Sequence, residues 1–239
     1  MTGRSTTAVL APALLAISHG TSSPSGQAAV AALVAAVSGS RPELMVREGF
    51  VDVQQPDVAT VLDRLPGGEP SVIVPLLLSA GYHVHVDLAE VADALGATVA
   101  AALGPDDRLV RLLARRLAEA GLTKDDIVVL AAAGSSDAGA VADCVETAGR
   151  LGEVLGRPVS VGFISAALPR LADEIATTRA AHPGRRVVVA SYLLAPGYFA
   201  GLAARAGGDV TSAPLLRPDG VVPAELVDLV LDRFAAVRP

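Results

Sequence analysis

The sequence of 239 residues contains a single cysteine, Cys144, and no tryptophan. One cysteine excludes an internal disulfide and a metal or iron–sulfur site built from cysteines, so a reducing, cytoplasmic location is expected. Aromatic residues make up only 3% of the chain, whereas hydrophobic residues make up 51%. The core is therefore expected to consist of small aliphatic side chains in closely packed layers, which favours an α/β architecture.

Positive charge is also scarce, because 19 Lys and Arg stand against 25 Asp and Glu, for a net charge of −6. No basic run is present to meet phosphates, so nucleic acid is excluded as a partner. No apolar run approaches the roughly 20 residues needed to span a bilayer, so no membrane partner is expected. The amino-terminal stretch up to residue 18 resembles a secretory signal, but Pro12 interrupts it and the second half contains a matching segment.

The two halves of the chain repeat one another in four segments that keep the same order. LLAISHGTSS (14–23) matches VVLAAAGSSD (128–137), EGFVDVQQP (48–56) matches VGFISAALP (161–169), IVPLLLSAGYH (73–83) matches VASYLLAPGYF (189–199), and LGPD (103–106) matches LRPD (216–219). A repeat of this length indicates a duplicated domain rather than a solenoid. We therefore expect one domain over residues 1–121 and a second over residues 122–239.

Within each half, short apolar runs alternate with helical patterns. In the first half the pattern predicts strands at 8–18, 44–53, 71–78 and 97–102 and helices at 25–38, 56–65, 86–95 and 106–120. Apolar runs without polar alternation are typical of strands buried on both faces of a parallel sheet. The expected fold class is α/β, with two similar domains that each contain a parallel sheet flanked by helices and that face each other across a cleft.

Three side chains that can bind metal follow strands of the first half. His19 ends the first predicted strand, Asp52 lies near the end of the second, and His83 follows the third. Ligands of parallel sheets bind outside the carboxyl ends of the strands, where all three residues are expected. Two imidazoles and a carboxylate match the preferences of a borderline divalent metal such as iron, cobalt or nickel.

The second copy lacks this chemistry. The corresponding positions hold Ala133, Ser165 and Phe199. Taken alone, His19 is better explained as a hydrogen-bonded histidine at a strand end than as a ligand, so the grouping of three residues is what indicates a functional site. Turn residues present in both copies, such as Gly20 and Gly134, are interpreted as scaffold. His85 is expected to point away from His83 on an extended segment.

The segments LLAISHGTSS, GFVDVQQP, VPLLLSAGYHVHVDL and ALGPDDRLVRLLARRLAEAG together resemble the sirohydrochlorin chelatases, which are class II metal chelatases of tetrapyrrole biosynthesis. The resemblance covers most of residues 10–120, and the second half follows the long, two-domain form of the family more loosely. It implies a lyase that inserts a divalent metal into sirohydrochlorin without ATP. Ferrous iron would give siroheme, and cobalt would give a precursor of cobalamin biosynthesis.

The resemblance also implies roles for individual residues. His19 and His83 match the family's two histidines and are expected to be catalytic and to bind the metal together with Asp52, which stands where the family commonly has Glu. Asp87 matches a further family acid. The family's HGSR motif reads HGTS here, so a basic residue is absent from that turn. Arg47, Arg170 and Arg205 are the candidates to replace it and to meet substrate carboxylates.

The hypothesis is therefore a cytoplasmic, monomeric chelatase with sirohydrochlorin and a divalent metal as its ligands and no further cofactor. His19 would accept a pyrrole proton, residues 76–82 and Phe199 would line the ring, and helix-start amides at Thr21 to Ser23 would meet its carboxylates. The expected substrate-binding residues are Gly20, Thr21, Ser22, Leu78, Ser79, Ala80, Gly81 and Tyr82. Ferrous iron is favoured. A cobaltochelatase and a non-catalytic, two-lobed small-molecule or tetrapyrrole-binding protein are the alternatives, and HGTSS lacks the spacing of a nucleotide-binding loop.

Overall fold

A computed structural model describes residues 12–66, 70–79, 81–218 and 220–237, without the side chains of residues 82–87. The first half contains β1 (Ala13–Ser18), α1 (Pro24–Ser40), β2 (Val46–Phe50), α2 (Val58–Asp63), β3 (Ser71–Pro75), α3 (Tyr82–Leu95), β4 (Ala97–Val99) and α4 (Asp107–Glu119). The second half contains β5 (Ile127–Ala132), α5 (Ala138–Leu155), β6 (Val159–Phe163), α6 (Leu171–Ala181), β7 (Val187–Tyr192), α7 (Tyr198–Ala204), β8 (Val210–Thr211) and α8 (Ala224–Ala236).

Each half forms a four-stranded parallel sheet, in the order β2-β1-β3-β4 and β6-β5-β7-β8. The predicted fold class, two similar α/β units with helix-flanked parallel sheets, is confirmed. The central strands β1 and β3 are buried along their whole length, as their apolar runs predicted. None of the described helices is long and apolar enough to cross a membrane.

The sequence pattern placed the third strand and the third helix inaccurately. β3 ends at Pro75 rather than at residue 78, and α3 begins at Tyr82 rather than at residue 86. The backbone of His83 and His85 is therefore helical, and the expectation of an extended segment there is wrong. Apolar residues at positions 84, 88, 91 and 92 follow helical spacing, but the short alternation in YHVHV concealed the start of the helix.

Both halves use the same turn to enter their first helix. The Ser23 hydroxyl accepts the Gly26 N–H of α1, and the Asp137 carboxylate accepts the Ala140 N–H of α5. Such N-cap acceptors satisfy amides that have no partner within the helix. The Thr21 hydroxyl accepts the Ser23 N–H, as Ser135 does for Asp137 in the second half. The duplication seen in the sequence thus extends to individual hydrogen bonds.

The glycine before each of these turns is a structural requirement. Gly20 has φ +89° and Gly134 has φ +93°, in the region that side chains avoid. A Cβ at Gly20 would collide with the Asp52 carbonyl oxygen, and one at Gly134 would collide with the Ser165 carbonyl oxygen. The interpretation of this glycine pair as scaffold is confirmed, because the same close approach of two loops occurs in both halves.

The last helix of each half packs against the other half. α4 contacts α5 and β7, whereas α8 contacts α1 and β3. Arg116 of α4 donates a 2.7 Å hydrogen bond to the Leu215 carbonyl, and Arg233 of α8 donates a 2.7 Å hydrogen bond to the Ala102 carbonyl. A single apolar core therefore includes residues of both sheets, among them Leu14 and Leu130. The boundary between residues 121 and 122 separates the two sheets, and as a domain boundary it stays a prediction.

Candidate functional site

A cleft of about 580 Å³ lies between the two sheets, at the carboxyl ends of their central strands. Residues 18–22 and 76–79 line it from the first half, and residues 132–135 and 192–200 line it from the second. Its volume lies in the usual range for small-molecule and cofactor sites, roughly 300–1,000 Å³. The expected cleft between the two halves is confirmed, and it lies where parallel sheets bind their ligands.

His19 follows β1 directly and lines this cleft with an exposed side chain. Within the described part of the chain, no group hydrogen-bonds to its imidazole ring. Its carbonyl oxygen accepts the Asp52 N–H at 3.1 Å, so the loops after β1 and β2 are joined here. A ring held at the mouth of a cleft without a protein partner keeps its lone pair available for a cation or a proton.

Asp52 lies beside His19 through its backbone, but its carboxylate has another partner. The Asp52 Oδ1 accepts the Val53 N–H at 2.7 Å, and the side chain is exposed. Asp52 is not among the described residues that line the cleft, whereas Val53 and Gln54 are. The Asp52 backbone thus lies beside His19, whereas the Asp52 carboxylate hydrogen-bonds to the amide that follows it.

His83 lies in the first turn of α3, after the loop that follows β3, and its side chain is outside the described residues. The same holds for the side chains of Tyr82, His85 and Asp87, and Ala80 is outside them entirely. Among the side chains that are described, no group of three or more His, Cys, Asp or Glu is placed to hold a metal. The distance between the His19 and His83 rings, and the metal site with it, stays a prediction.

The other expected substrate-binding residues all line the cleft, namely Gly20, Thr21, Ser22, Leu78, Ser79 and Gly81. The helix-start amides are less available than the sequence suggested. The Thr21 N–H donates to the Gln54 side-chain oxygen at 2.9 Å, and the Ser23 N–H donates to Thr21 Oγ1 at 3.2 Å. Of these three amides, that of Ser22 alone has no acceptor within the described residues.

Aspartate, glutamate, lysine and arginine are absent from the described lining of the cleft, in which His19 is the one titratable base. The three arginines considered as replacements for a basic residue at the turn, Arg47, Arg170 and Arg205, are exposed and lie outside this lining. The expectation that one of them faces the ligand is therefore not supported. Arg47 lies on β2, Arg170 immediately precedes α6, and Arg205 immediately follows α7.

Several residues of the site were missed at the sequence level. Gln54 ties the Thr21 turn in place, and Tyr192 donates a 2.9 Å hydrogen bond across the cleft floor to the Leu78 carbonyl. Cys144 also lines the cleft, and burial raises the pKa of its thiol to about 11, although a hydrogen bond with the Ser79 hydroxyl acts in the opposite direction. Comparing the copies at these positions would have found Tyr192, which faces Leu76 in the repeat.

An aromatic pair forms one wall of the cleft mouth. Tyr198 and Phe199 begin α7, with ring centroids 6.0 Å apart and planes inclined by 53°. They are 71% and 40% exposed, and Val53, on the opposite lobe, is 55% exposed. Exposed apolar groups around a cleft are typical of a binding surface for a flat, partly apolar ligand.

The fold and the cleft define a two-lobed α/β protein with a cleft at the strand ends, and comparison with known proteins gives its family. The CbiX family model matches residues 13–120 and 127–201, which is more than half of the chain. The chain belongs to the CbiX family. The resemblance to the sirohydrochlorin chelatases is thereby confirmed.

A curated relative is the sirohydrochlorin cobaltochelatase of Methanococcoides burtonii, which is 30% identical over 80 residues. The aligned stretch is 33% of this chain and 61% of the relative, so less than two thirds of the relative's length is matched. Among solved structures, SirB from Bacillus subtilis with Fe3+ has a TM-score of 0.71 and 21% identity and covers 94% of each chain.

A second structure, the sirohydrochlorin chelatase SirB from Bacillus subtilis subspecies spizizenii in complex with cobalt, has a TM-score of 0.69 and 18% identity over 93% of each chain. A third is CbiX, the terminal enzyme for biosynthesis of siroheme in denitrifying bacteria, with a TM-score of 0.65 and 18% identity over 95% of this chain and 100% of that one. At these identities the similarity establishes the shared two-lobed fold.

Proposed function

We propose that this chain is a sirohydrochlorin chelatase, a lyase that inserts ferrous iron into sirohydrochlorin without ATP and so produces siroheme. The observation that carries the proposal is the imidazole of His19, which has no hydrogen-bond partner among the described residues and lines the cleft between two lobes of a CbiX-family fold. Metallation of a tetrapyrrole requires a partly desolvated cation and the loss of two pyrrole protons. An imidazole is suited to both tasks, since its neutral form binds such metals and its pKa lies near neutrality.

In the proposed mechanism, His19 and His83 would hold the incoming cation, and once the cation has passed to the ring nitrogens the freed lone pair of His19 accepts one pyrrole proton. Asp52 orients an imidazole rather than binding the cation directly. Its carboxylate already accepts the Val53 N–H at 2.7 Å and would have to give up that hydrogen bond to bind the cation. Two protons leave the ring as two positive charges arrive, so the total charge of the ring and its metal is unchanged by the step. The proton on His19 then passes to solvent at the cleft mouth, and the second pyrrole proton passes to solvent water as well.

The macrocycle would lie between the apolar residues after β3 and the aromatic pair of α7. Its carboxylates would point towards solvent, because the described lining offers them no lysine or arginine and an unpaired buried charge is costly. The cleft is formed within one chain, which supports a monomer as the active unit. Cys144 is a free thiol, in keeping with a reducing, cytoplasmic location.

Cobalt is the second candidate for the metal substrate. The curated relative is a cobaltochelatase, whereas SirB structures contain Fe3+ or cobalt and the CbiX structure is from siroheme biosynthesis. Imidazole and carboxylate ligands bind both metals, so the ligand set gives no basis for choosing between them. We favour iron, and a competition assay with equal concentrations of ferrous iron and cobalt tests this choice. If cobalt-sirohydrochlorin is the main product, the proposed metal substrate is cobalt and not iron.

The proposed activity is tested by following the absorption spectrum of sirohydrochlorin under anaerobic conditions with purified protein and ferrous iron, relative to the rate without protein. We expect His19→Ala and His83→Ala to lower kcat/KM at least about 100-fold, as the loss of a proton acceptor and ligand does. The matched control is His182→Ala, since His182 is an exposed histidine at the end of α6. Normal turnover in both of the first two variants would overturn the assignment.

The same assay separates the chelatase from a binding protein. A two-lobed receptor would bind sirohydrochlorin and leave the spectrum of the metal-free ring unchanged when the cation is added. A chelatase converts the spectrum to that of the metallated ring over many turnovers. Binding with no conversion in the wild-type chain would therefore replace the proposed activity by the binding function.

A further inference from the structure

The Ser18 hydroxyl is a buried polar group that has no hydrogen-bond partner among the described residues. Ser18 is the last residue of β1, is 5% exposed and lines the cleft beside His19. No described group lies within hydrogen-bonding distance of its Oγ. A buried hydroxyl without a partner is costly, and such groups are rare in folded proteins. A ligand bound in the cleft would supply the hydrogen-bond partner that the Ser18 hydroxyl lacks among the described residues.

The second copy shows that the fold does not need this hydroxyl. Ser18 pairs with Phe50 of β2, and the equivalent Ala132 of β5 pairs with Phe163 of β6. Ala132 is 1% exposed, so the corresponding site is filled by a methyl group in the same strand geometry. The strand end that has Ser18 and His19 in one copy has two alanines in the other. Both polar groups are therefore confined to the lobe that contains the predicted chemistry.

The direction of the Ser18 side chain follows from the strand. Successive residues of a strand face opposite sides of the sheet. Leu14 and Ala16 of β1 belong to the core that both lobes share, whereas Leu15 and Ile17 belong to a separate core of the first lobe. Ser18 lies on the same side as Leu14 and Ala16, so its hydroxyl faces the second lobe across the cleft.

The chemistry of the cleft limits what can reach this hydroxyl. The carboxylates of a tetrapyrrole are strongly hydrated, and the described lining has no lysine or arginine whose permanent charge would compensate for burying one beside Ser18. The other polar atoms of the ligand are the nitrogens in the centre of an otherwise apolar disc. A hydroxyl both donates and accepts hydrogen bonds, so it can accept from a pyrrole N–H.

We propose that Ser18 Oγ accepts a hydrogen bond from a pyrrole N–H of the metal-free tetrapyrrole, which makes Ser18 a substrate-binding residue beside His19. The inference rests on the proposed chelatase function. The metallated ring has lost its pyrrole protons, so this hydrogen bond exists with the substrate and not with the product. Ser18 thereby favours binding of the metal-free ring over retention of the metallated one.

The test compares Ser18→Ala with Ser191→Ala in the full-length protein. Ser191 is a matched control, because it is 1% exposed, its Oγ also lacks a described partner, and it lies on β7 outside the cleft lining. Dissociation constants are measured by calorimetry for metal-free sirohydrochlorin and for cobalt-sirohydrochlorin. We expect Ser18→Ala to weaken binding of the metal-free ring about three- to tenfold and to leave binding of the metallated ring within about twofold.

We expect Ser191→Ala to change neither constant, and thermal unfolding of unliganded Ser18→Ala to match or exceed that of the wild type, since the alanine removes an unpaired hydroxyl. Equal weakening for both rings would overturn the proposal, because the hydroxyl would then contact the ring periphery. Unchanged dissociation constants for both rings in Ser18→Ala would overturn it too, because water would then be the partner of the Ser18 hydroxyl. A wild-type chain that binds sirohydrochlorin but does not metallate it refutes the proposed function alone, and one that binds no ring refutes both.

Discussion

The Tyr192 hydroxyl donates a 2.9 Å hydrogen bond to the Leu78 carbonyl and so joins the end of β7 to the loop after β3 across the floor of the cleft. Burial raises the pKa of Tyr192, so the phenol remains a protonated donor at any physiological pH. A Cβ at Gly104 would collide with both the Leu78 carbonyl oxygen and the Tyr192 hydroxyl. This contact between the lobes thus needs a glycine at position 104.

We predict that Tyr192→Phe lowers the free energy of unfolding by about 1 kcal/mol, because the Leu78 carbonyl loses its partner while the ring remains. The melting temperature should fall by about 2–4 °C. The control is Tyr198→Phe, since Tyr198 is 71% exposed and makes no such contact between the lobes. Both variants are compared by calorimetric unfolding. Equal stability of Tyr192→Phe and the wild type would mean that this hydrogen bond contributes nothing to holding the lobes together.

The paired glycine turns permit a test that separates scaffold from chemistry. Gly20→Ala and Gly134→Ala each place a side chain at positive φ and against a carbonyl oxygen of a neighbouring loop. We expect each to lower the free energy of unfolding by at least about 2 kcal/mol, measured in urea.

Metal insertion should respond differently to the two glycine substitutions. Gly20→Ala displaces the loop that carries His19 and Asp52, whereas the equivalent loop in the second lobe has Ala133 and Ser165. At a temperature where both variants are folded, we expect a larger loss of kcat/KM in Gly20→Ala. Equal losses of activity would contradict the assignment of the chemistry to the first lobe.

Acid stability should depend on an ion pair in the second lobe between the buried Asp126 and the partly exposed Arg186. The Arg186 guanidinium binds the Asp126 carboxylate at 2.6 Å, Asp126 also accepts the Thr123 N–H at 2.7 Å, and Asp126 is 4% exposed. The hydrogen bond from Arg186 is the main cause that lowers the pKa of Asp126 to about 2. A carboxyl with a lowered folded-state pKa stabilises the fold above its unfolded pKa, near 4, and that stability is lost as the pH falls towards 2.

We therefore predict that Asp126→Asn is less stable than the wild type at pH 7 and that the difference shrinks between pH 4 and pH 2. Urea unfolding at pH 7, 4 and 3 measures this. Asp173→Asn serves as a control, since this exposed acid of α6 has no ion pair within the described part of the chain. A difference between Asp126→Asn and the wild type that is constant with pH would show that the Asp126 charge is not the cause.

Much of the fold is visible in the sequence because its determinants are local or repeated. Uninterrupted apolar runs predicted parallel strands buried on both faces, and the matching segments predicted two similar lobes. The same repeat singled out His19 as a residue of one copy only, and the structure places it at the cleft. These inferences needed only periodicity and the rule that strands of a parallel sheet end at one edge.

Tertiary structure decided the rest, because it joins residues that are far apart in the chain. The exchange of α4 and α8 between the lobes, the direction of the Asp52 carboxylate and the contact between Tyr192 and Leu78 have no local signature. Ser18 looks like any serine at a strand end until packing shows that its hydroxyl is buried, faces the other lobe and has no hydrogen-bond partner in the described part of the chain. Sequence alone determined which chemical groups are available and on which strands they lie. Whether a group is buried, paired or open to a ligand was fixed only when the two lobes packed together, since burial and hydrogen bonding depend on every neighbour at once.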